Sequence, residues 1–247
     1  MRRSDRKWFL TRVKRTIYGF KMIENGDRVA VGLSGGKDSA ALLYILNLFR
    51  RHAPFDFDLQ GIFVHPGWPV DIGPLQAMAD KLGTPLHVEE TVIARVVFER
   101  RQEKNPCALC ANMRRGALHK AALDLGCNKV ALGHHLDDAV QTFMMNLIYT
   151  GCMGTFKPKT FLDRTGLYLI RPLIQLPENT LTALACRENL PLLKNPCPIS
   201  GRTKRREMAE LFAQLGSRYP DLREKWRSAL LGSPFWQPQK QDFNSSK

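Results

Sequence analysis

One stretch constrains the fold more than any other: RVAVGLSGGKDSAALLYILNLFR, residues 28–50. Arg28 to Ser34 is an apolar, β-rich run that reads as a buried strand, and the residues from Ser39 onward carry apolar side chains at helical spacing. Gly35 and Gly36 stand between the two. A strand that turns into a helix through glycines leaves the unpaired N–H groups of the helix start at the carboxyl end of the strand. Glycine lets the backbone come close to a ligand and adopt positive φ. Ser34 and Ser39 add hydroxyl groups. The stretch therefore predicts a phosphate-type anion site.

It is not a Walker A loop, which requires G-x-x-x-x-G-K-[ST]. Position 31 is Val, and Asp38 follows Lys37 where Ser or Thr should stand. Nor is it the dinucleotide pattern G-x-G-x-x-G. A carboxylate inside an anion nest makes sense in two ways: a divalent cation joins it to the phosphates, or it caps the helix.

The rest of the chain repeats the strand-then-helix alternation. LQGIFVH, LHVEET, KVALGHH and LYLIRPL read as further strands. GPLQAMADKLG, CALCANMRRGALHKAALDLG and DDAVQTFMMNLIYTG read as helices closed by Gly83, Gly126 and Gly151, and three more helices follow Pro177. The expected class is α/β, a Rossmann-like, five-stranded parallel sheet with helices on both faces. No apolar run reaches bilayer length, and MRRSDRKWFL lacks an apolar stretch behind its charges, so a cytoplasmic protein without membrane contact is expected.

Lys plus Arg exceed Asp plus Glu by 37 to 23, a formal charge of +14. The excess is clustered in the first 21 residues and in GRTKRRE, Gly201 to Glu207. Such clustering points to a polyanionic partner. Arg12, Lys14, Arg15, Arg202, Lys204 and Arg205 are the candidates to touch it.

Of six cysteines, Cys107 and Cys110 lie three apart and share one face of a helix start. Cys197 sits between Pro196 and Pro198, which hold an extended loop. Taken alone, CALC is a metal or redox pair. Three thiolates without a fourth protein ligand suit a zinc site with an open position or a 4Fe-4S cluster with one free iron. Cys127, Cys152 and Cys186 read as small buried hydrophobes.

SGGKDS after the first strand resembles the PP-loop of ATP pyrophosphatases. With CALCANMRRG, ALGHHLDDAVQT, IRPL and LPLLKNPC in this order, the chain resembles the tRNA 2-thiocytidine synthetase family from about Lys14 to about Gly232. The resemblance implies that ATP and Mg²⁺ bind at Ser34, Gly35, Gly36, Lys37, Asp38 and Ser39, with Gly133 and His134 beside the nucleotide. It implies a 4Fe-4S cluster on Cys107, Cys110 and Cys197. ATP would adenylate the C2 oxygen of a tRNA cytidine, and sulfur supplied by a cysteine desulfurase would displace AMP. Asp138, then Asp137, are the expected catalytic aspartates, and Arg114 would steady phosphate or developing charge. A homodimer is implied as well. The domain expectation is a basic helical extension at 1–25, a PP-loop domain with C-terminal helices at 26–232, and a polar, disordered tail at 233–247.

The sequence departs from that family's pattern at three places: His65 replaces a customary acid after the second strand, CPISGRT follows the third cysteine, and Cys152 replaces a common lysine. These departures keep two alternatives open: a PP-loop enzyme with a different acceptor, and an iron–sulfur nucleic-acid sensor without turnover.

Overall fold

The structure, a computed structural model, describes residues 3–101, 106–194, 196–197 and 204–237, with backbone alone for 3–8 and 204–206. Parallel strands β1 (Arg28–Leu33), β2 (Asp58–His65), β3 (Leu86–Glu90), β4 (Lys129–Ala131) and β6 (Leu167–Ile170) form its sheet with one antiparallel edge strand, β5 (Lys159–Leu162). The order is β3-β2-β1-β4-β6-β5.

The sheet thus has six strands where the sequence reading gave five. The extra one is KTFL, four residues long and joined to β6 by the Asp163–Gly166 turn. It lies on the sheet edge, where pairing through the backbone needs no apolar run of its own.

From β1 the chain steps outward through β2 to β3, then returns to the other flank of β1 with β4. The order therefore reverses between β1 and β4. In open α/β sheets the crevice at such a reversal, outside the carboxyl ends of the strands, is where ligands bind.

Helices cover both faces. On one side lie α1 (Arg3–Gly19), α2 (Lys37–Arg50), α3 (Gly73–Leu82) and α7 (Glu178–Arg187). In α1, Phe9, Val13 and Ile17 recur every fourth residue and are buried, so the basic segment is anchored by an apolar stripe. On the other side, α4 (Ile93–Arg95), a π-helical turn (Val96–Arg101) and α5 (Pro106–Asp124) pack on β2, β3 and β4. A third cluster joins α6 (Leu136–Thr150) to α8 (Lys204–Arg218) and α9 (Leu222–Gly232). Trp236 is 1% exposed in that cluster, and its indole N–H donates to the Phe156 carbonyl at 3.2 Å. The packed structure therefore runs past position 233, where the sequence reading began the tail.

Cys127 is buried as expected, but Cys152 and Cys186 are exposed. Cys152 follows the left-handed Gly151 that ends α6, and on α7 the buried face is taken by Leu181, Leu184 and Ala185. No described helix is long and apolar enough to cross a membrane.

Candidate active site

The site is built at the switch point between β1 and β4. After β1, Gly35 has φ +80 and a side chain there would sit 3.0 Å from the Leu193 Cβ. Both conditions require glycine. Gly36 starts α2 without any side-chain cap, so the helix N-terminus keeps its unpaired donors for a ligand. Ser34 and Ser39 brace the turn: the Ser39 hydroxyl donates to the Gly36 carbonyl at 2.9 Å and accepts from the Ser34 N–H at 3.1 Å.

After β4, Gly133 lies directly behind this loop. A Cβ there would meet the Asp38 carbonyl carbon and oxygen at 3.0 Å, so the two loops touch through backbone. His135 then caps α6. Its Nδ1 accepts the Asp138 N–H at 3.4 Å while the Asp138 carboxylate accepts the His135 N–H at 3.0 Å. With Nδ1 accepting, Nε2 carries the ring proton, and it faces Asp138 at 3.5 Å and Asp38 at 3.9 Å.

The two expected aspartates have different surroundings. Asp137 is 7% exposed, and both its oxygens are engaged, one by the Glu178 N–H at 2.7 Å and one by Arg223 Nε at 3.0 Å. It ties α6 to α7 and α9. Asp138 is more open and lies in the crevice with Asp38 and His135.

Lys37 Nζ lies 3.1 Å from Asp38 and 2.7 Å from Glu178. Burial draws its ammonium down, but the bonds and charges of Glu178 and Asp38 outweigh that and hold it above the ordinary lysine value. Glu178 was absent from the sequence-based candidates; its local signal is only the Pro177–Glu178 helix start.

A cavity of about 280 Å³ opens over the loop. Ser34, Gly35 and Gly36 line it on one side and Phe63, Pro66 and Val70 on another. Arg114, Leu193, Lys194 and Pro196 complete it. The Leu193 N–H donates to the Gly35 carbonyl at 2.9 Å and so fixes the segment leading to Cys197. Cys197 adjoins the Pro196 that lines the cavity, and Arg114 stands one helical turn past Cys110.

The sequence-distant Cys197 acts electrostatically on the Cys110 thiol, as Cys107 and Arg114 do. Burial pushes the Cys110 thiol up, Arg114 draws it down, and Cys197 and Cys107 push it up again, which requires all four groups within electrostatic reach. All three are free thiols, half-buried at 110 and 197 and exposed at 107. Among the described residues no group of three acidic, His or Cys side chains stands at metal-binding distance, the three thiols included. By donor type, three thiolates suit a 4Fe-4S cluster with one corner open.

His134 meets Arg171 and Phe156. Its Nδ1 accepts from Arg171 Nε at 3.3 Å and its ring stacks on Phe156 at 4.9 Å. Arg171, the arginine of IRPL, is 8% exposed, and burial, with Arg115 adding to it, lowers it to about 10.

Of the basic candidates, Arg12 is paired with Glu224 at 3.1 Å, Lys14 is half-buried and Arg15 is exposed. Lys204 and Arg205 begin α8, with side chains outside the described set, and Arg202 lies outside the described residues. His65 pairs with Glu90 at 3.1 Å, so an acid does reach the end of β2, but from β3.

Residues 9–208 match the model of the PP-loop domain family. The tRNA-cytidine(32) 2-sulfurtransferase of Syntrophotalea carbinolica is 40% identical over 225 residues, 89% of this chain and 85% of the relative. That of Pelobacter propionicus is 37% identical over 222 residues, 88% and 82% of the two chains. Among solved structures, the U34-tRNA thiolase of Methanococcus maripaludis with its 4Fe-4S cluster superposes with a TM-score of 0.74 at 26% identity, covering 91% of this chain and 77% of that one. With its glycine loop and the crevice at the β1/β4 reversal in place, the chain belongs to the PP-loop family, among the tRNA-cytidine(32) 2-sulfurtransferases.

Proposed function

We propose that the protein is an ATP-dependent tRNA sulfurtransferase that converts a cytidine of tRNA to 2-thiocytidine, releasing AMP and pyrophosphate. The observation that carries this reading is the convergence of two chemistries on one cavity. The PP-loop lines one side, and supporting the thiol assignment, Arg114 and Pro196 also line it, the first one helical turn past Cys110 and the second next to Cys197 in sequence.

The loop N–H groups, Ser34, Ser39 and Lys37 bind the phosphates of ATP. Asp38, with Asp138 close by, holds Mg²⁺ against them, which explains a carboxylate in an anion nest. The cytidine C2 oxygen attacks the α-phosphorus, the bond to the bridging oxygen breaks, and pyrophosphate leaves with the electron pair. Arg114 stabilises the charge that develops beside the cavity. Cys107, Cys110 and Cys197 hold a 4Fe-4S cluster, which when bound supplies an open iron position for the sulfur to be transferred. His135 orients Asp138 through its capping pair. Asp137 acts by fixing the helices around the site.

The exposed Arg15, with Lys14 and the basic segment near 202–205, contributes to tRNA binding through phosphate contacts. The working unit is the PP-loop domain, residues 26–232, with α1 and the Trp236 anchor packed onto it. A cysteine desulfurase as ultimate sulfur source, a homodimer and a cytoplasmic location complete the reading.

Nucleoside mass spectrometry of bulk tRNA tests it. Deleting the gene removes 2-thiocytidine, and only a copy with Cys107, Cys110 and Cys197 intact restores it. Unchanged 2-thiocytidine on deletion rules out the tRNA cytidine as acceptor.

A further inference from the structure

Glu178 lies 141 residues from Lys37 in sequence, yet its carboxylate makes the shortest contact to the Lys37 ammonium, 2.7 Å. It is the first residue of α7, and its placement is over-determined. Its own N–H is held by Asp137 at 2.7 Å, and Asp137 is held by Arg223 of α9 at 3.0 Å. Leu181 and Leu184 of the same helix are buried in the cluster that holds α2, so α7 and the loop helix are one packed unit. Two ion pairs joined by a backbone hydrogen bond therefore run from α9 through α6 and α7 to the glycine loop.

An ammonium has three N–H donors. Asp38 accepts two hydrogen bonds from it, at 3.1 and 3.2 Å, and Glu178 one at 2.7 Å, so a phosphate oxygen gains a donor as Asp38 turns away. When Asp38 turns to a cation, Glu178 is the group that still holds the lysine. A lysine on a four-carbon stem is otherwise free among many rotamers. Holding it costs little at the moment of reaction when the holder is itself fixed.

We propose that Glu178 is a positioning residue for the reaction: it fixes Lys37 on the phosphates so that the lysine meets the charge developing on the departing pyrophosphate. The inference rests on the reading of this cavity as the ATP site and adds to it the residue that sets the geometry of the loop lysine.

The competing role for Glu178 is structural, since an acid in the first turn of a helix complements its dipole. Two measurements separate the roles. The first is ATP–pyrophosphate exchange by the full chain with tRNA, comparing wild type, Glu178→Gln and the double variant Glu178→Gln/Asn179→Asp. The double variant returns the negative charge to the exposed first turn of α7 without reaching Lys37. The expected result is a kcat about tenfold lower in both variants with the KM for ATP within about threefold, a change of about 1.4 kcal/mol in barrier. A kcat restored by Asn179→Asp, an unchanged kcat, or a lowered KM at unchanged kcat overturns the proposal. The second measurement needs no turnover: reductive methylation of Lys37, followed by peptide mass spectrometry. Lys37 is methylated several-fold faster in Glu178→Gln than in wild type. Equal rates overturn the proposal. If exchange is absent in wild type while Lys37 reactivity still depends on Glu178, the assignment of the ATP site has failed and the lysine-holding role has not.

Discussion

Opposite edges of the sheet each hold a lysine between two carboxylates. At the amino-end edge, Lys129 of β4 lies 2.5 Å from Asp27 and 3.4 Å from Glu24, with Lys129 3% and Asp27 8% exposed in their side chains. Asn128 donates to the other Asp27 oxygen at 2.8 Å, and the Glu24 N–H donates to the carboxylate at 2.6 Å. At the carboxyl-end edge, Lys37 lies between Asp38 and Glu178, with side-chain exposures of 25%, 30% and 45%. The ingredients are the same. In the first cluster Lys129 and Asp27 are sealed in and only Glu24 reaches solvent, and the Asp27 hydrogen bonds are met within the protein, so this pair holds the sheet together. The second is open to a cavity, on a glycine turn with unclaimed helix donors, so it can exchange a protein partner for a ligand. Burial and backbone, more than residue type, separate structure from site.

The largest effect that sharpens this contrast is chemical. Replacing Cys107, Cys110 and Cys197 together with Ala abolishes thiolation and the visible absorbance of the cluster. ATP affinity, measured by isothermal titration on the same protein, stays within about twofold, because none of the three thiols lines the cavity over the loop.

The next tests the clusters directly. Lys129→Met leaves a buried Asp27 without its cation and costs about 3–5 kcal/mol in urea unfolding. Lys37→Met removes a half-exposed partner and costs under about 1 kcal/mol, yet it eliminates ATP–pyrophosphate exchange. Equal destabilisation by the two would break the comparison.

A smaller effect falls on the loop contact. Gly133→Ala forces a methyl against the Asp38 backbone at 3.0 Å, and overpacking of this kind costs about 1–3 kcal/mol. Because the strain falls on the loop, ATP affinity drops by about tenfold, read by the same titration.

The smallest concerns Arg12, whose partner Glu224 is half-exposed. Burial raises the Glu224 carboxyl, but Arg227 and Arg12 outweigh it and set it below 4.5. A depressed carboxyl stabilises the fold above its unfolded pKa and loses that contribution as pH falls through the folded value. Arg12→Ala therefore lowers stability by about 0.2–1 kcal/mol at neutral pH, and the difference from wild type vanishes at acid pH.

Reading these regions from sequence succeeded where the chemistry is local. Gly35, Gly36, the flanking serines and the apolar strand before them are contiguous, and together they announce the turn. Gly83 and Gly151 close α3 and α6 in the left-handed conformation, as a helix-ending glycine should. It failed where an element borrows its stability: β5 is four residues with two polar side chains, and only its neighbour β6 makes it a strand. Asp137 and Asp138 look alike as adjacent acids at a helix start. Only the fold shows one bound between two helices and the other facing Asp38. Glu178 carried no signal, because what distinguishes it is a partner 141 residues away.

The burial of Trp236 bears on synthesis. The cluster it completes includes Leu136, Ala139 and Val140, the face of α6 that supports the Asp138 end of the crevice. Those residues leave the ribosome long before Trp236 does. Until α8, α9 and finally the indole dock, α6 shows an uncovered apolar face, and the nascent chain carries a finished sheet with an unfinished crevice. A stall or truncation ahead of α8 would yield a chain with its phosphate loop formed but that supporting helix exposed to chaperones and proteases.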